Sequence, residues 1–328
     1  IPKSEDVQTR MYATTVHALD GGRLLVAGTF YGVAWPGEAT EIASLPSDNE
    51  NDNWDGFLAW LDAGTGAVER AVRIGNDLQF MKRNTVVLSD GSVLAAMEYF
   101  DAETFGVGEE NERTLACGVD ESSGWAREIQ CVALARYDAG GNLQWVRDLG
   151  LVWAFSTAIV LLDDGDVGLF SIFGGPSDPD GDGTAFVPGD DDDEMGVIVA
   201  KYRAADGSLA WARVGSGSWC GDASHVFAMP GGGLVAEFSF ENALLEFEGE
   251  DPGQTQIVPA GKHDIALVRF SSTGEIKWMH RLGGAGYDYI LGGAQLDGTS
   301  LWFTGAYGSD PFVATSGNGD DLPLPLSG

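Results

Sequence analysis

Short apolar stretches recur along the whole chain, separated about every 8–15 residues by turns rich in Gly and Asp. Punctuation this dense breaks helices, so the pattern predicts an all-β chain of short antiparallel strands. One hairpin pattern occurs five times. It reads TTVHALDGGRLLVAGTF from Thr14, NTVVLSDGSVLAAMEYF from Asn84 and TAIVLLDDGDVGLFSIF from Thr157. It returns as HVFAMPGGGLVAEFSF from His225 and LGGAQLDGTSLWFTGAY from Leu291. Each copy is two apolar stretches about an Asp-Gly or Gly-Gly turn, the strongest short-range hairpin signal. The turn glycines Gly21, Gly91, Gly165, Gly232 and Gly298 lie 70, 74, 67 and 66 residues apart.

A second hairpin pattern alternates with the first and occurs four times, from Gly56, Cys131, Gly196 and Asp264, closing at Gly75, Gly150, Gly215 and Gly283. Three copies carry a tryptophan shortly before the closing glycine, Trp145, Trp211 and Trp278, where the first has Arg70. A large flat side chain at one place per repeat suits packing between stacked sheets. One period thus holds four strands. Four-stranded antiparallel units repeated around an axis are propeller blades, and the spacing gives about five. The expected repeats are 7–75, 76–150, 151–215, 216–283 and a partial 284–328, together one β-propeller domain.

The count is uneven, with five first hairpins against four second ones. The tail DPFVATSGNGDDLPLPLSG aligns with the stretches that precede a second hairpin. Three arrangements fit: a ring closed irregularly by the tail and the start, a piece of a longer chain, or a neighbouring protomer that supplies the missing strands. An exposed sheet edge is a template for pairing.

The segment AGKHDIALVRFSSTGEIKWMHRLGGAGYDYILGGAQLDGTSLWFTGAYG, from Ala260, resembles the bacterial β-propeller repeat of secreted surface proteins (the SBBP type). Matching stretches are Leu134-Ala135-Arg136-Tyr137, Val199-Ala200-Lys201-Tyr202 and Leu267-Val268-Arg269-Phe270. The resemblance implies a propeller and a secreted or cell-surface setting; it carries over no catalytic residues. The first repeat departs most, with Trp60 where the others have a basic residue and Arg70 where they have tryptophan. Asp62-Ala63-Gly64-Thr65-Gly66 gives a weaker resemblance to the PQQ-like repeats of quinoprotein propellers, without their vicinal cysteine pair.

Charge adds to this picture. The chain has 328 residues, 50 Asp+Glu against 18 Lys+Arg, and a net charge of −32. That balance argues against nucleic acid and against an anionic membrane surface. With 44% hydrophobic residues there is material for a core. No apolar run is long enough for a transmembrane helix, and the residues from Ile1 do not read as a signal peptide. More than half of the acids fall in four connecting stretches, about 31–55, 101–130, 174–195 and 241–263. In a propeller these connections emerge on one face, which solvates the protein or binds cations. The clearest cation signal is Asp178, Asp180 and Asp182 at alternate positions followed by Gly183, the opening of a calcium loop. The twelfth position of that pattern is Gly189 rather than Glu, so Asp190 and Asp192 are the expected closing ligands. Asp48, Glu50 and Asp52 form a second, weaker candidate. Oxygen ligands without clustered His or Cys favour Ca²⁺.

Cys117 and Cys131 bracket one acidic segment. A disulfide there closes a loop of about 15 residues, worth ~3 kcal/mol by chain entropy, and implies an oxidising compartment; the alternative is two separate thiols. Cys220 is left over. No metalloprotease spacing, nucleophile elbow or Walker loop is present. These readings lead to a non-enzymatic, secreted or bacterial cell-surface module, structural or adhesive, with Ca²⁺-stabilised loops. Its expected partners are itself or other surface proteins, through open blade edges, and glycans. The alternative is a glycan-active enzyme, or a lectin using Trp35, Trp54 and Trp125 on the loop face.

Overall fold

The first repeat opens with a hairpin of β1 (Arg10–Leu19) and β2 (Arg23–Tyr31), continues through a short pair β3 (Val33–Ala34) and β4 (Ile42–Ala43), and closes with a hairpin of β5 (Asp55–Asp62) and β6 (Val68–Arg73). Its sheet runs β1-β2-β5-β6, antiparallel throughout. The second repeat holds β7 (Leu78–Gln79), β8 (Thr85–Val87), β9 (Val93–Phe100), a connector hairpin β10 (Ala102–Phe105) and β11 (Arg113–Ala116), then β12 (Gln130–Tyr137) and β13 (Leu143–Val152). Here β9 pairs with β7 and β8 on one side and β12 on the other. The third repeat has β14 (Ala154–Leu161), β15 (Val167–Phe173), β16 (Glu194–Tyr202) and β17 (Leu209–Ser218). The fourth has β18 (His225–Met229), β19 (Gly233–Phe240), the connector β20 (Leu245–Phe247) and β21 (Gln256–Ile257), then β22 (Asp264–Phe270) and β23 (Ile276–Gly283). The fifth has β24 (Asp288–Gln295), β25 (Leu301–Tyr307), β26 (Val313–Ser316) and β27 (Asp321–Pro323).

The computed structural model describes residues 10–31, 33–34, 42–43, 54–74, 78–79, 84–100, 102–117, 130–178, 186, 194–218, 225–241, 244–247, 256–295, 301–309, 313–316 and 321–323. The protein is all-β over these residues, with no helix among them. The turn glycines Gly21, Gly91, Gly165 and Gly232 all take positive φ, which explains their recurrence at each hairpin tip. The expected order, two strands, a connection and two more strands, is present as a four-stranded antiparallel set in each of the first four repeats.

The connections are not merely loops. The pair β20 and β21 extends the preceding repeat's sheet, with Gly215 opposite Phe247. The pair β26 and β27 does the same one repeat later, with Gly283 opposite Val313. These two connectors therefore cover the last strands of the third and fourth repeats, and edges that would otherwise recruit another chain are paired within the molecule; the pairs β3–β4 and β10–β11 form separate two-stranded sheets. The tail plays the part of a connector, as its alignment predicted.

By its internal contacts the chain divides into two compact units, Ile1–Asp148 and Leu149–Gly328. In the first, Phe30, Phe57 and Ala59 are fully buried, and Met11, Val26, Leu61 and Ala71 pack on them. In the second, the facing sides of the third and fourth sheets make one core. Phe170 stacks on Phe238 at 5.0 Å between ring centroids, and Ala266, Val268 and Phe270 of β22 join Ile172, Val197 and Val199.

Candidate functional site

A cross-strand pair of a basic residue and a tryptophan marks the closing hairpins. Lys201 lies opposite Trp211, and Arg269 opposite Trp278. In the first repeat Trp60 lies opposite Arg70. The departure seen in sequence is thus one exchange across a single pair. The exchange keeps an indole against the next repeat's turn: a Cβ on Gly141 would meet the Trp60 ring at 2.8 Å, and one on Gly274 would meet Trp211 at 2.6 Å. Trp211 also donates from Nε1 to the carbonyl of Ser272 at 2.9 Å. The basic partners turn to the opening hairpin's acids. Arg136 binds Asp90 at 2.5 Å, and Lys201 binds Asp164, with Asp166 at 3.4 Å. Tryptophan and cation therefore fix sheet spacing and turn geometry, and neither points to a ligand.

Of the expected calcium ligands only Asp178 is described. Asp180, Asp182, Asp190 and Asp192 lie outside the described residues, as do Asp48, Glu50 and Asp52. Two points of the third acidic connection are held together. Ser177 and Phe186 exchange backbone hydrogen bonds of 2.9 and 2.7 Å, and the Asp178 N–H donates to the Gly150 carbonyl at 2.9 Å. No group of three metal-ligating side chains occurs among the described residues. Cys117 and Cys131 stand at disulfide distance, their Cα atoms 5.7 Å apart, both buried at the end of β11 and the start of β12. Cys220, Trp35 and Trp125 lie outside the described residues. Trp54 packs on Tyr12, with ring centroids 5.1 Å apart.

The chemistry the sequence did not single out gathers at the root of the fifth repeat. Asp264 and Asp288 are both fully buried, and Gly283 sits between them; a Cβ there would strike the Asp264 carboxylate. Asp288 accepts from the N–H groups of Gly284 at 3.0 Å and Gly308 at 3.1 Å, and from the Ser309 hydroxyl. Asp264 accepts from the Ala260 N–H, with Arg281 Nε 4.0 Å away. Burial raises the Asp264 pKa, and the Asp288 charge adds to that, against the pull of the Ala260 N–H and Arg281. The two carboxylates clamp the crossing between repeats. A signal existed in the sequence: an acid opens the closing hairpin in the first and fourth repeats, and Asp55 likewise meets Arg73 at 3.1 Å.

The residues flanking these two carboxylates in sequence form an aromatic group. The His263 ring is 5.0 Å from that of Tyr287 and 5.3 Å from that of Tyr289. Its Nε2 lies 2.8 Å from Glu241, and Lys262 stands 4.8 Å over Tyr287. Beside it a cavity of about 300 Å³ is lined by Ile265, Leu282, Tyr289, Ile290, Phe303 and Tyr307, among others. The hairpin that walls the cavity is exposed, with Leu291 at 75%, Trp302 at 64% and Tyr307 at 51%. Among the described residues β25 pairs with β24 alone, whereas β2, β9, β15 and β19 each pair on both sides. Exposed aromatics, an apolar slot and a strand with no second partner among the described residues thus meet at one place. Compared with known protein families and with curated proteins, the chain matches none.

Proposed function

We propose that the chain is an extracellular assembly module of the β-propeller type, in which the four-stranded sheets are blades and the fifth repeat is a docking half-blade. It joins the module to itself or to other surface proteins. The observation that carries this reading is the exposed hairpin of β24 and β25, which among the described residues is paired on one side only, whereas β2, β9, β15 and β19 are paired on both. The buried cysteine pair at disulfide distance supports that setting, because disulfides persist in oxidising compartments. In the same reading Ca²⁺ binds the third acidic connection, held by Asp178, Asp180 and Asp182 between the paired residues Ser177 and Phe186 and by Asp190 and Asp192 beyond them.

Sedimentation velocity across a concentration series, with and without Ca²⁺, tests assembly; the expected result is association, with itself or with a surface-protein extract, that weakens on Trp302→Glu. Thermal unfolding with Ca²⁺ and then with excess chelator tests the loops. A hundredfold excess of Ca²⁺ over its dissociation constant adds about 2.7 kcal/mol to the native state, so the midpoint rises by several degrees and Asp182→Asn abolishes the rise. An unchanged midpoint returns the acids to solvation alone.

A further inference from the structure

Resting on that reading, we infer that the edge of β25 accepts an antiparallel strand donated by another polypeptide, of the same type that this chain supplies to itself four times. The occupant is an extended segment of seven or eight residues, apolar on alternate positions, that completes the fifth sheet as its third strand.

The internal precedents define the acceptor. In each of the first four repeats the second strand of the opening hairpin takes an antiparallel third strand along its full length. Phe30 to Arg23 runs opposite Asp55 to Asp62, and Phe100 to Val93 opposite Gln130 to Tyr137. Phe173 to Val167 runs opposite Gly196 to Tyr202, and Phe240 to Leu234 opposite Asp264 to Phe270. The fifth hairpin matches the first in register. A bulge follows Ala13 in β1 and Ile290 in β24, and each of these residues faces a glycine, Gly28 or Gly305, whose added Cβ would strike the carbonyl of Tyr12 or Tyr289. The backbone of β25 is thus shaped as β2 is, and β2 carries β5.

Among the described residues, the space beside β25 suits such a strand as well. In the fourth repeat, Ala266, Val268 and Phe270 of the third strand enter the core against the preceding sheet. One repeat later, the corresponding place is the cavity of about 300 Å³ walled by Ile265 and Leu282 on one side and Ile290 and Phe303 on the other. Ile265, Leu267 and Ile290 already form a small cluster there, with Trp278, Leu282 and Phe303 packed on it. A donated strand would place its alternate apolar side chains in this slot and its backbone against β25, the usual division between specificity and affinity when a strand is added to a sheet. Charge favours the same occupant. From Tyr289 to Tyr307 the sequence holds one charged residue in a chain of net charge −32, so an apolar segment meets little local charge. Two whole copies, by contrast, repel each other.

The direct test uses a fluorescent peptide with the sequence of residues 262–272, which contains the third strand of the fourth repeat, and follows its anisotropy on titration with the full chain. The expected result is saturable binding, at least tenfold weaker for the same peptide N-methylated on alternate residues and at least threefold weaker for the Trp302→Glu chain, whose exposed substitution leaves the core intact. Equal binding of the methylated and plain peptides overturns the inference, because it marks a sticky apolar patch without strand pairing. Absence of peptide binding also overturns it. If the chain then still self-associates through Trp302, the occupant is a second copy, and the assembly reading stands alone. If it neither associates nor takes the peptide, both readings fall.

Discussion

The first and last opening hairpins of this protein share a backbone and differ in everything around it. Register aligns Phe30 with Tyr307 and Leu25 with Trp302, through the common bulge and the glycine beneath it. Phe30 and Leu25 are fully buried, whereas Tyr307 is 51% and Trp302 64% exposed. The two hairpins have similar strand lengths and turn chemistry. What separates them is the third strand: β5 lies on β2, and β25 has no described neighbour beyond β24. Burial in this architecture is therefore a property of the completed sheet, and a hairpin alone decides only where its side chains point.

The comparison is broken or sharpened most strongly by paired truncations. Phe30→Ala should cost about 3–5 kcal/mol, the range for a buried aromatic. Tyr307→Ala should cost below about 1 kcal/mol until a third strand is bound. Urea midpoints at constant slope measure both, and equal losses would mean that the last hairpin is as covered as the first. Trp60→Ala should cost a similar ~3–5 kcal/mol, because the indole seals the first closing hairpin against Gly141. The double exchange Trp60→Arg with Arg70→Trp should restore most of that loss, since it recreates the order found at Lys201 and Trp211. A double variant no better than Trp60→Ala would refute the equivalence of the repeats.

Removal of the cysteine pair by Cys117→Ser and Cys131→Ser should lower stability by about 3 kcal/mol. Thermal midpoints of the double variant against the parent chain measure the loss, and an unchanged midpoint would mean that the two thiols are not bridged. The smallest effect concerns pH. Burial lowers the pKa of His17 below 6.5, so the native state favours the neutral ring, whose Nε2 lies 2.9 Å from Thr85 Oγ1. The contribution is complete above pH 6.5 and is lost as pH falls below it. His17→Gln should flatten stability of the first unit between pH 7 and 5, read from melting midpoints; a slope unchanged by the substitution would assign the pH dependence to another group.

Much of the fold was legible in the chain. Apolar alternation and the Asp-Gly or Gly-Gly turns give hairpins because the signal is local: a two-residue period and a positive φ at the tip. The same local logic located the four-stranded sets and matched the tail to a connector. The candidate site was legible only in outline. The unequal count of hairpins left irregular closure, a longer chain or strands from a neighbour open, and none of these located the slot. That slot needs Ile265 and Leu282 to meet Ile290 and Phe303 across two repeats. The buried pair Asp264 and Asp288 was passed over among many acids, because composition does not distinguish a buried carboxylate from a solvated one.

The sequence by itself determined the all-β class, the repeat length, the hairpin tips and the Cys117–Cys131 spacing, since each depends on residues close along the chain. Tertiary structure alone decided that two connectors cover the sheets of the third and fourth repeats, that Trp60 and Arg70 are one exchanged pair, and that Trp302 and Tyr307 are exposed while Leu25 and Phe30 are buried. Those outcomes depend on which strand lies beside which. That is settled by backbone hydrogen bonds and apolar contacts between residues far apart in sequence, which no local pattern encodes.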